Sequence, residues 1–512
     1  MMEFNLLESS HLHAHPIPQR DQKGRRSSIS MLTRLPVELL ELIFQYSTQD
    51  SLKELRLVNK LVNKTCTPFA FKRIQLGVFS FSINNLLALS RSSLAKHVRA
   101  IEYHVDKLPK WGRSLWLAHI DLRPPFLKWR DDLYGEVDSP ARRKAETEYD
   151  RLPRRLFASA SMDEGYLAYR KLVEEQASFS AAVEGLVFKE CLSSLPNLRE
   201  VIVSRAKPFE GRVDDSPFWQ NIKRDIFIGP DAWLYQREDD EEDEREGIFT
   251  VVFLEALGYR NEFSGMKPLE RLSLELTTSH SPTDLMGFAC DPDIARTTDA
   301  RFQSVLDAIE ELKHLTISAP YFPIYFGDGG SRVRDMHHLL GHAKNLRSLQ
   351  LGYGEAADSR DAEGAYEDLE DVSRLEGHAL APFLSSPDTI YPYLHELELV
   401  ADVPSRALSE FLLRHQSTLR RLVLRDSIGD DWELVWKTIS KSLELDYVYL
   451  EGLYQNEQQE SDERAYPVGH FMEGTDVESE LNTAMKEYLL RGDGGEIPKE
   501  YYDESDEYPW EG

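Results

Sequence analysis

An apolar kernel, L-x-x-L-x-L with conservative swaps, recurs seven times along this chain and constrains its fold more than any other feature. The copies are Leu198-x-x-Val201-x-Val203, Leu269-x-x-Leu272-x-Leu274, Leu312-x-x-Leu315-x-Ile317, Leu346-x-x-Leu349-x-Leu351, Leu394-x-x-Leu397-x-Leu399, Leu419-x-x-Leu422-x-Leu424 and Leu445-x-x-Val448-x-Leu450. A single kernel is common by chance; seven in series are not. Strand side chains alternate, so the closing pair of each kernel points into a core and the residues between point away. Helical apolar spacing precedes several copies: Phe302, Val305, Leu306 and Ile309 before the third, Leu408, Phe411 and Leu412 before the sixth, Trp432, Val435, Trp436 and Ile439 before the seventh. A helix-then-strand unit cannot cover its own apolar face, so neighbouring units must stack to do it. The pattern predicts an irregular α/β solenoid over 191–454.

Successive kernels start 71, 43, 34, 48, 25 and 26 residues apart. The last two spacings suit a leucine-rich repeat, which runs about 20–29 residues; the longer ones imply insertions, at about 235–247 and 352–378. Residues 237–246 hold eight acids in ten, the composition of a solvated loop. The residues that alternate with the kernel form an outward face. On it Arg271, His314, Gln350, Glu396, Glu398, Arg421, Tyr447 and Tyr449 are the candidate contacts to a target protein. Their mixed signs do not name that target.

Residues 31–76 have a different periodicity. Thr33 is placed to cap a helix and Pro36 to occupy its first position, where the missing N–H costs nothing. Leu39, Leu40, Ile43 and Phe44 follow Pro36 as one apolar stripe, while Leu35, Leu39, Leu42 and Tyr46 form a second on an adjoining face. A helix restarting at Asp50 carries Leu52, Leu55 and Val58, and a third runs from Lys60 to Cys66, ahead of Pro68. Three short helices have little core of their own. Apolar residues on more than one face of the first therefore call for cover from outside: a docking module.

The order Leu35-Pro36-x-Glu38-Leu39-Leu40-x-x-Ile43-Phe44, then Leu52-x-x-Leu55-Arg56-Leu57-Val58-Asn59-Lys60, then Pro68-x-Ala70-Phe71-x-Arg73-Ile74, resembles an F-box, in the style common in filamentous fungi. Asn59, where Ser or Cys is frequent, is a slight departure. The resemblance implies binding to the Skp-type adaptor of a Skp–cullin–F-box ubiquitin ligase, and through it to a cullin. Leu35, Pro36, Leu39, Leu40, Ile43, Phe44, Leu52, Leu55 and Val58 are the expected adaptor contacts, with Leu42 and Leu57 able to exchange roles with their neighbours.

Composition narrows the rest. The formal charge is −28, and residues 451–512 supply half of it, with 18 Asp/Glu against 4 Lys/Arg. An acidic chain without a long basic stripe argues against nucleic acid and anionic membranes as partners. Three scattered cysteines, Cys66, Cys191 and Cys290, make neither a zinc spacing nor a disulfide framework. No apolar run is long enough to span a membrane, and no secretory signal opens the sequence, so cytoplasm or nucleus is expected. Phosphate-loop, nucleophile-elbow and H-E-x-x-H motifs are missing. Gly327–Ser331 reads as a turn, and His338 with His342 lacks a third ligand. No cofactor, metal or catalysis is expected.

The expected layout is then a disordered leader (1–30), the F-box-like helices (31–76), a mixed, partly helical region (77–190), the solenoid (191–454) and an acidic, largely disordered tail (455–512). Within it, Phe79-x-Phe81-x-Ile83 reads as a short strand, Lys107–Arg130 with its three tryptophans as ordered irregular structure, 163–190 as helical, and Leu481–Leu490 as a short helix. The function expected is a non-catalytic substrate receptor of a ubiquitin ligase. The alternatives are a scaffold acting outside a ligase and, less favoured, an enzyme with an unrecognised site.

Overall fold

The computed structural model describes residues 35–105, 108, 110–118, 162–178, 181–204, 222, 226, 244–275, 303–318, 340–352, 380–387, 389–400, 403–456, 465–467 and 480–491. The leader, most of both insertions, Trp129, Gly327–Ser331 and His338 lie outside these residues. The chain divides into two compact units, at residues 1–72 and 73–512.

In the first unit, α1 (Val37–Gln45), α2 (Gln49–Leu55) and α3 (Lys60–Ala70) each start at a capping residue. Pro36 is the N-cap of α1 rather than its first helical residue, and its carbonyl accepts from the amides of Leu39 and Leu40. Thr48 caps α2 through Ser51 N–H, and Asn59 caps α3 through Val62 N–H at 2.9 Å. Leu40, Phe44, Leu52, Val62, Cys66 and Ala70 form a small core, with Phe69 packed edge-on to Phe44 at 6.3 Å. That core explains why α3 runs on through Pro68 to Ala70 instead of stopping at Cys66. Ala70 and Phe69 bury apolar area there, offsetting the one backbone hydrogen bond that proline cannot make.

The second unit is mixed α/β. Its chain order is β1 (Arg73–Gly77), α4 (Ser80–Ser90), β2 (Ala100–His104), α5 (Arg113–Ala118), α6 (Met162–Ser178), α7 (Ala181–Leu192), β3 (Glu200–Ser204), α8 (Glu244–Asn261), β4 (Arg271–Glu275), α9 (303–309), β5 (His314–Ser318), β6 (Ser348–Gly352), α10 (Ala381–Ser385), β7 (Glu396–Val400), α11 (Ser405–Arg414), β8 (Arg421–Gly429), α12 (Trp432–Ser442), β9 (Tyr447–Asn456), β10 (Ala465–Pro467) and α13 (Glu480–Arg491). The ten strands form one sheet in strict sequence order; β1 to β9 are parallel and β10 is antiparallel to β9. A parallel sheet that never reverses its order places its crossover helices on one face. Among the described residues the outward side chains of β4 to β9 are exposed or half-buried apart from Val423 and Ser427, so that face is called the open face.

All seven kernels carry a strand, and each strand starts two residues after the first kernel residue. Their apolar positions are buried in one continuous core with Phe188, Phe253, Phe411, Trp432 and Trp436 from the helices. Tyr103 of β2 packs against Phe188 of α7 and Phe253 of α8, with ring centroids 5.4 and 4.9 Å away. Buried Arg260 of α8 donates to the carbonyls of Leu195 and Leu198, 3.1 and 3.0 Å away, and so closes the turn that feeds β3. The same backbone bonding starts each strand from β3 to β9. The carbonyl of Arg99 accepts from the amides of Arg199 and Glu200; Arg199 then serves Glu270 and Arg271 in the same way, and the series ends with Arg420 serving Asp446 and Tyr447.

Several readings of the sequence change. The sheet begins at Arg73, well before residue 191: β1 and β2 precede the seven kernels, and β1 starts inside the stretch assigned to the helical module. Phe79–Ile83 is not a strand but the start of α4, because Ile83, Leu86 and Ser90 meet the core at helical spacing. Three alternating apolar residues are too few to separate the two periods. Residues 163–190 are helical as read, in two helices, while the tryptophan-rich segment, read as irregular, contains α5. Trp111 and Trp116 are buried in a second cluster with Phe79, Leu108, Tyr169, Ile222 and Ile226. The acidic tail contributes β10 and α13, whose Met485, Tyr488 and Leu489 are buried in the main core. The last residues of the 237–246 acidic run begin α8.

Candidate interaction surfaces

In the first unit α1 splits its apolar residues between two faces. Leu40 and Phe44, one turn apart, point into the three-helix core with Leu52. These three expected adaptor contacts hold the helices together instead. Leu35 and Leu55 pack partly against them, Val58 is half-buried and Pro36 is exposed. The outward face carries Leu39, Leu42, Ile43 and Tyr46 at i, i+3, i+4 and i+7, exposed by 46%, 51%, 41% and 80%. Leu57, just after α2, is exposed by 88%. Of the adaptor candidates, therefore, Leu39 and Ile43 face outward, and Leu42, Tyr46 and Leu57 join them. Covering the exposed half of each α1 residue would contribute about 1 kcal/mol apiece.

In the second unit the register of the strands brings all eight candidate target contacts into two neighbouring rows. One row reads Arg271, His314, Ser348, Glu396, Arg421 and Tyr447 from β4 to β9; the next reads Ser273, Thr316, Gln350, Glu398, Val423 and Tyr449. Val423 alone is buried among them. Toward β9 the rows are internally braced. Arg421 pairs with Glu396 at 2.8 Å and lies 4.1 Å above the Tyr447 ring, while Arg425 and Lys486 approach the Tyr449 ring at 5.1 and 6.0 Å. Burial raises the Glu398 carboxyl above its ordinary range, with Glu396 adding to the effect and Arg425 and Arg421 opposing it. In the middle of the sheet the Thr316 hydroxyl donates to the Gln350 amide oxygen at 3.3 Å.

The two rows continue onto strands that the kernel missed. Arg73 reaches past small Ala100 to Glu200 at 3.0 Å, and Gln75 donates to Glu102 at 3.2 Å. A looser search, admitting Val and Tyr at kernel positions, would have found Val98-x-x-Ile101-x-Tyr103 for β2. In β1 only Ile74-x-Leu76 keeps the pattern.

One cluster has the composition of a catalytic triad. The Ser204 hydroxyl lies 3.3 Å from His104 Nδ1, and His104 Nε2 lies 3.5 Å from Glu102. Ser204 and His104 are both buried, and burial pulls the imidazole down to about 3. An imidazole held that far below neutrality is a weak general base, and a buried hydroxyl offers no approach to a substrate. The trio ties β2 to β3.

Among the described residues, no group of three or more His, Cys, Asp or Glu side chains is placed to hold a metal, and no helix is long and apolar enough to cross a membrane. The thiols of Cys66 and Cys191 are buried, which raises both above the ordinary cysteine range. No family model matches the sequence, and no curated protein matches it.

Proposed function

We propose that this chain is the substrate-receptor subunit of a Skp–cullin–F-box ubiquitin ligase, working in the cytoplasm or nucleus without chemistry of its own. Its three N-terminal helices would act as an F-box and hold a Skp-type adaptor and, through it, a cullin. Its sheet, as a leucine-rich-repeat-like solenoid, would hold a target protein on the open face. Tethering then raises the target's effective concentration beside the ubiquitin-charged enzyme.

The observation that carries this reading is the outward Leu39, Leu42, Ile43 and Tyr46 stripe. Its helix already fills its own core with Leu40 and Phe44, so the second stripe has no use within the three helices. A partner with an apolar groove gives it one. Leu39→Ala combined with Ile43→Ala should weaken co-purification with the adaptor at least about tenfold, the loss of roughly 1.4 kcal/mol. Because both side chains face outward, the helices themselves should stay folded by circular dichroism. Undiminished adaptor recovery from the double variant would refute the assignment.

A further inference from the structure

Charge on the open face is unevenly used, and the unused part lies over β4 to β6. Three carboxylates of this neighbourhood are already engaged: Glu200, in register with Arg271, with Arg73 at 3.0 Å, Glu270 with Arg199 and Lys313 at 3.1 and 3.0 Å, and Glu396 with Arg421. Arg271 and Arg347 are exposed, and among the described residues neither has a carboxylate within ion-pair distance. Half-buried His314 stands in register between Arg271 on one side and Ser348 on the other, and Arg347 immediately precedes Ser348. Burial lowers its proton affinity first, and Arg271, Arg347 and Lys313 lower it further, against a smaller opposing pull from Glu396. Arg271 and Arg347, with Lys313 already paired to Glu270, thus act on one imidazole, in a chain whose formal charge is −28. Ser348 in the same row, and Ser273, Thr316 and Gln350 in the next, add neutral hydrogen-bonding groups.

We infer that this part of the face receives an extended, acidic segment of the target protein, with side-chain carboxylates seated on Arg271 and Arg347. The guanidinium fork suits a carboxylate, which it can grip through two parallel hydrogen bonds. Arg271 and the Arg347–Ser348 pair lie two strand spacings apart, about 9.6 Å. Chain in the extended polyproline-II form, with three residues per turn and a rise of about 3.1 Å per residue, brings acids three apart in sequence onto one side at about that distance, matching the two arginines. Nucleic acid fits less well, because two cations on an acidic protein cannot neutralise a run of phosphates. The inference rests on the open face being the target-binding surface, but not on the adaptor contact.

The test uses the full chain and a short labelled peptide with glutamate at every third position, beside a matched glutamine peptide. The glutamate peptide should bind at least about tenfold more tightly at low salt, and the advantage should shrink as salt screens it. Arg271→Gln with Arg347→Gln should remove the preference, while Lys437→Gln on the helical face should leave it intact. Reversing both arginines to glutamate should transfer the preference to a lysine peptide, a gain that misfolding cannot produce. Equal binding of the glutamate and glutamine peptides would overturn the proposal. So would binding seen only after removal of residues 492–512, which would make the chain's own acidic end the occupant. The Leu39→Ala, Ile43→Ala protein should still bind the peptide, so failure of the adaptor reading and failure of this one are separable.

Discussion

Buried histidines give this fold a pH dependence that works through single imidazoles. His415 is buried, with Nδ1 2.8 Å from the Phe411 carbonyl and Nε2 accepting the Tyr391 amide at 3.0 Å. That pair of contacts requires the neutral ring, and burial lowers its proton affinity while Phe411 partly resists. His104 is held lower still, at about 3, against an ordinary value of 6.5. The unfolded chain therefore binds protons that the folded chain refuses, and stability falls as pH drops below about 6.5. Each such residue contributes a slope of about 1.4 kcal/mol per pH unit. Urea midpoints should fall from pH 6.5 to 5, above the window in which Glu270, held below the ordinary carboxylate range by Lys313, loses its own contribution. His415→Gln should flatten the slope; an unchanged slope would mean that this ring is not the titrating group.

Gly258 is the other residue that sets a hard limit. A Cβ built there would lie 1.8 Å from the Ser304 carbonyl oxygen, so α8 and α9 touch backbone to backbone. Gly258→Ala must force those helices apart and should cost about 1–3 kcal/mol, read as a lowered urea midpoint. Alanine's better helix propensity, worth about 1 kcal/mol, works the other way. No loss of stability would show that the helices can slide without penalty.

Among the elements, α13 makes the clearest case. A short helix near Leu481–Leu490 is legible as a local pattern, but its acidic surroundings suggest a solvated tail. The structure instead buries Leu489 completely and joins Tyr488 to Ser440 of α12 at 2.9 Å. The apolar face of the last strand and helix needs a neighbour, and α13 packs on α12 and β9 where the parallel series ends. Leu489→Ala should destabilise the second unit by about 2–5 kcal/mol. If its thermal midpoint is unmoved, α13 is an ornament and not a cap. Strands were easier to read than helices here because kernel burial is local and periodic, whereas whether α4 or α13 is buried depends on partners distant in sequence. The outward face of α1 was only partly legible: periodicity gave two apolar stripes, but packing against α2 and α3 divides the first of them, burying Leu40 and Phe44 and leaving Leu39 and Ile43 exposed.

For the molecule as a whole, sequence conveyed a series of parallel strands but understated its extent. Seven kernels matched seven strands, yet β1 and β2 follow Phe71 and Val98 where every matched kernel opens on Leu, and β2 closes on Tyr103, so a search that requires an opening leucine passes over them. The rows of the open face followed directly, because alternation fixes which side a strand residue faces once the register is known. The charge pattern within those rows was not accessible, since it depends on which acids are already taken by neighbours.

The doubled amide-to-carbonyl bonding at the start of each strand bears on how such a chain can vary. Starts lie anywhere from 25 to 71 residues apart, yet the same two amides find the same carbonyl at every step. Alignment is reset at each rung, so an excursion of any length can be spliced between rungs without propagating error to the next. Length has become a free variable, and novelty can accumulate in the excursions while the rail beneath them keeps its gauge.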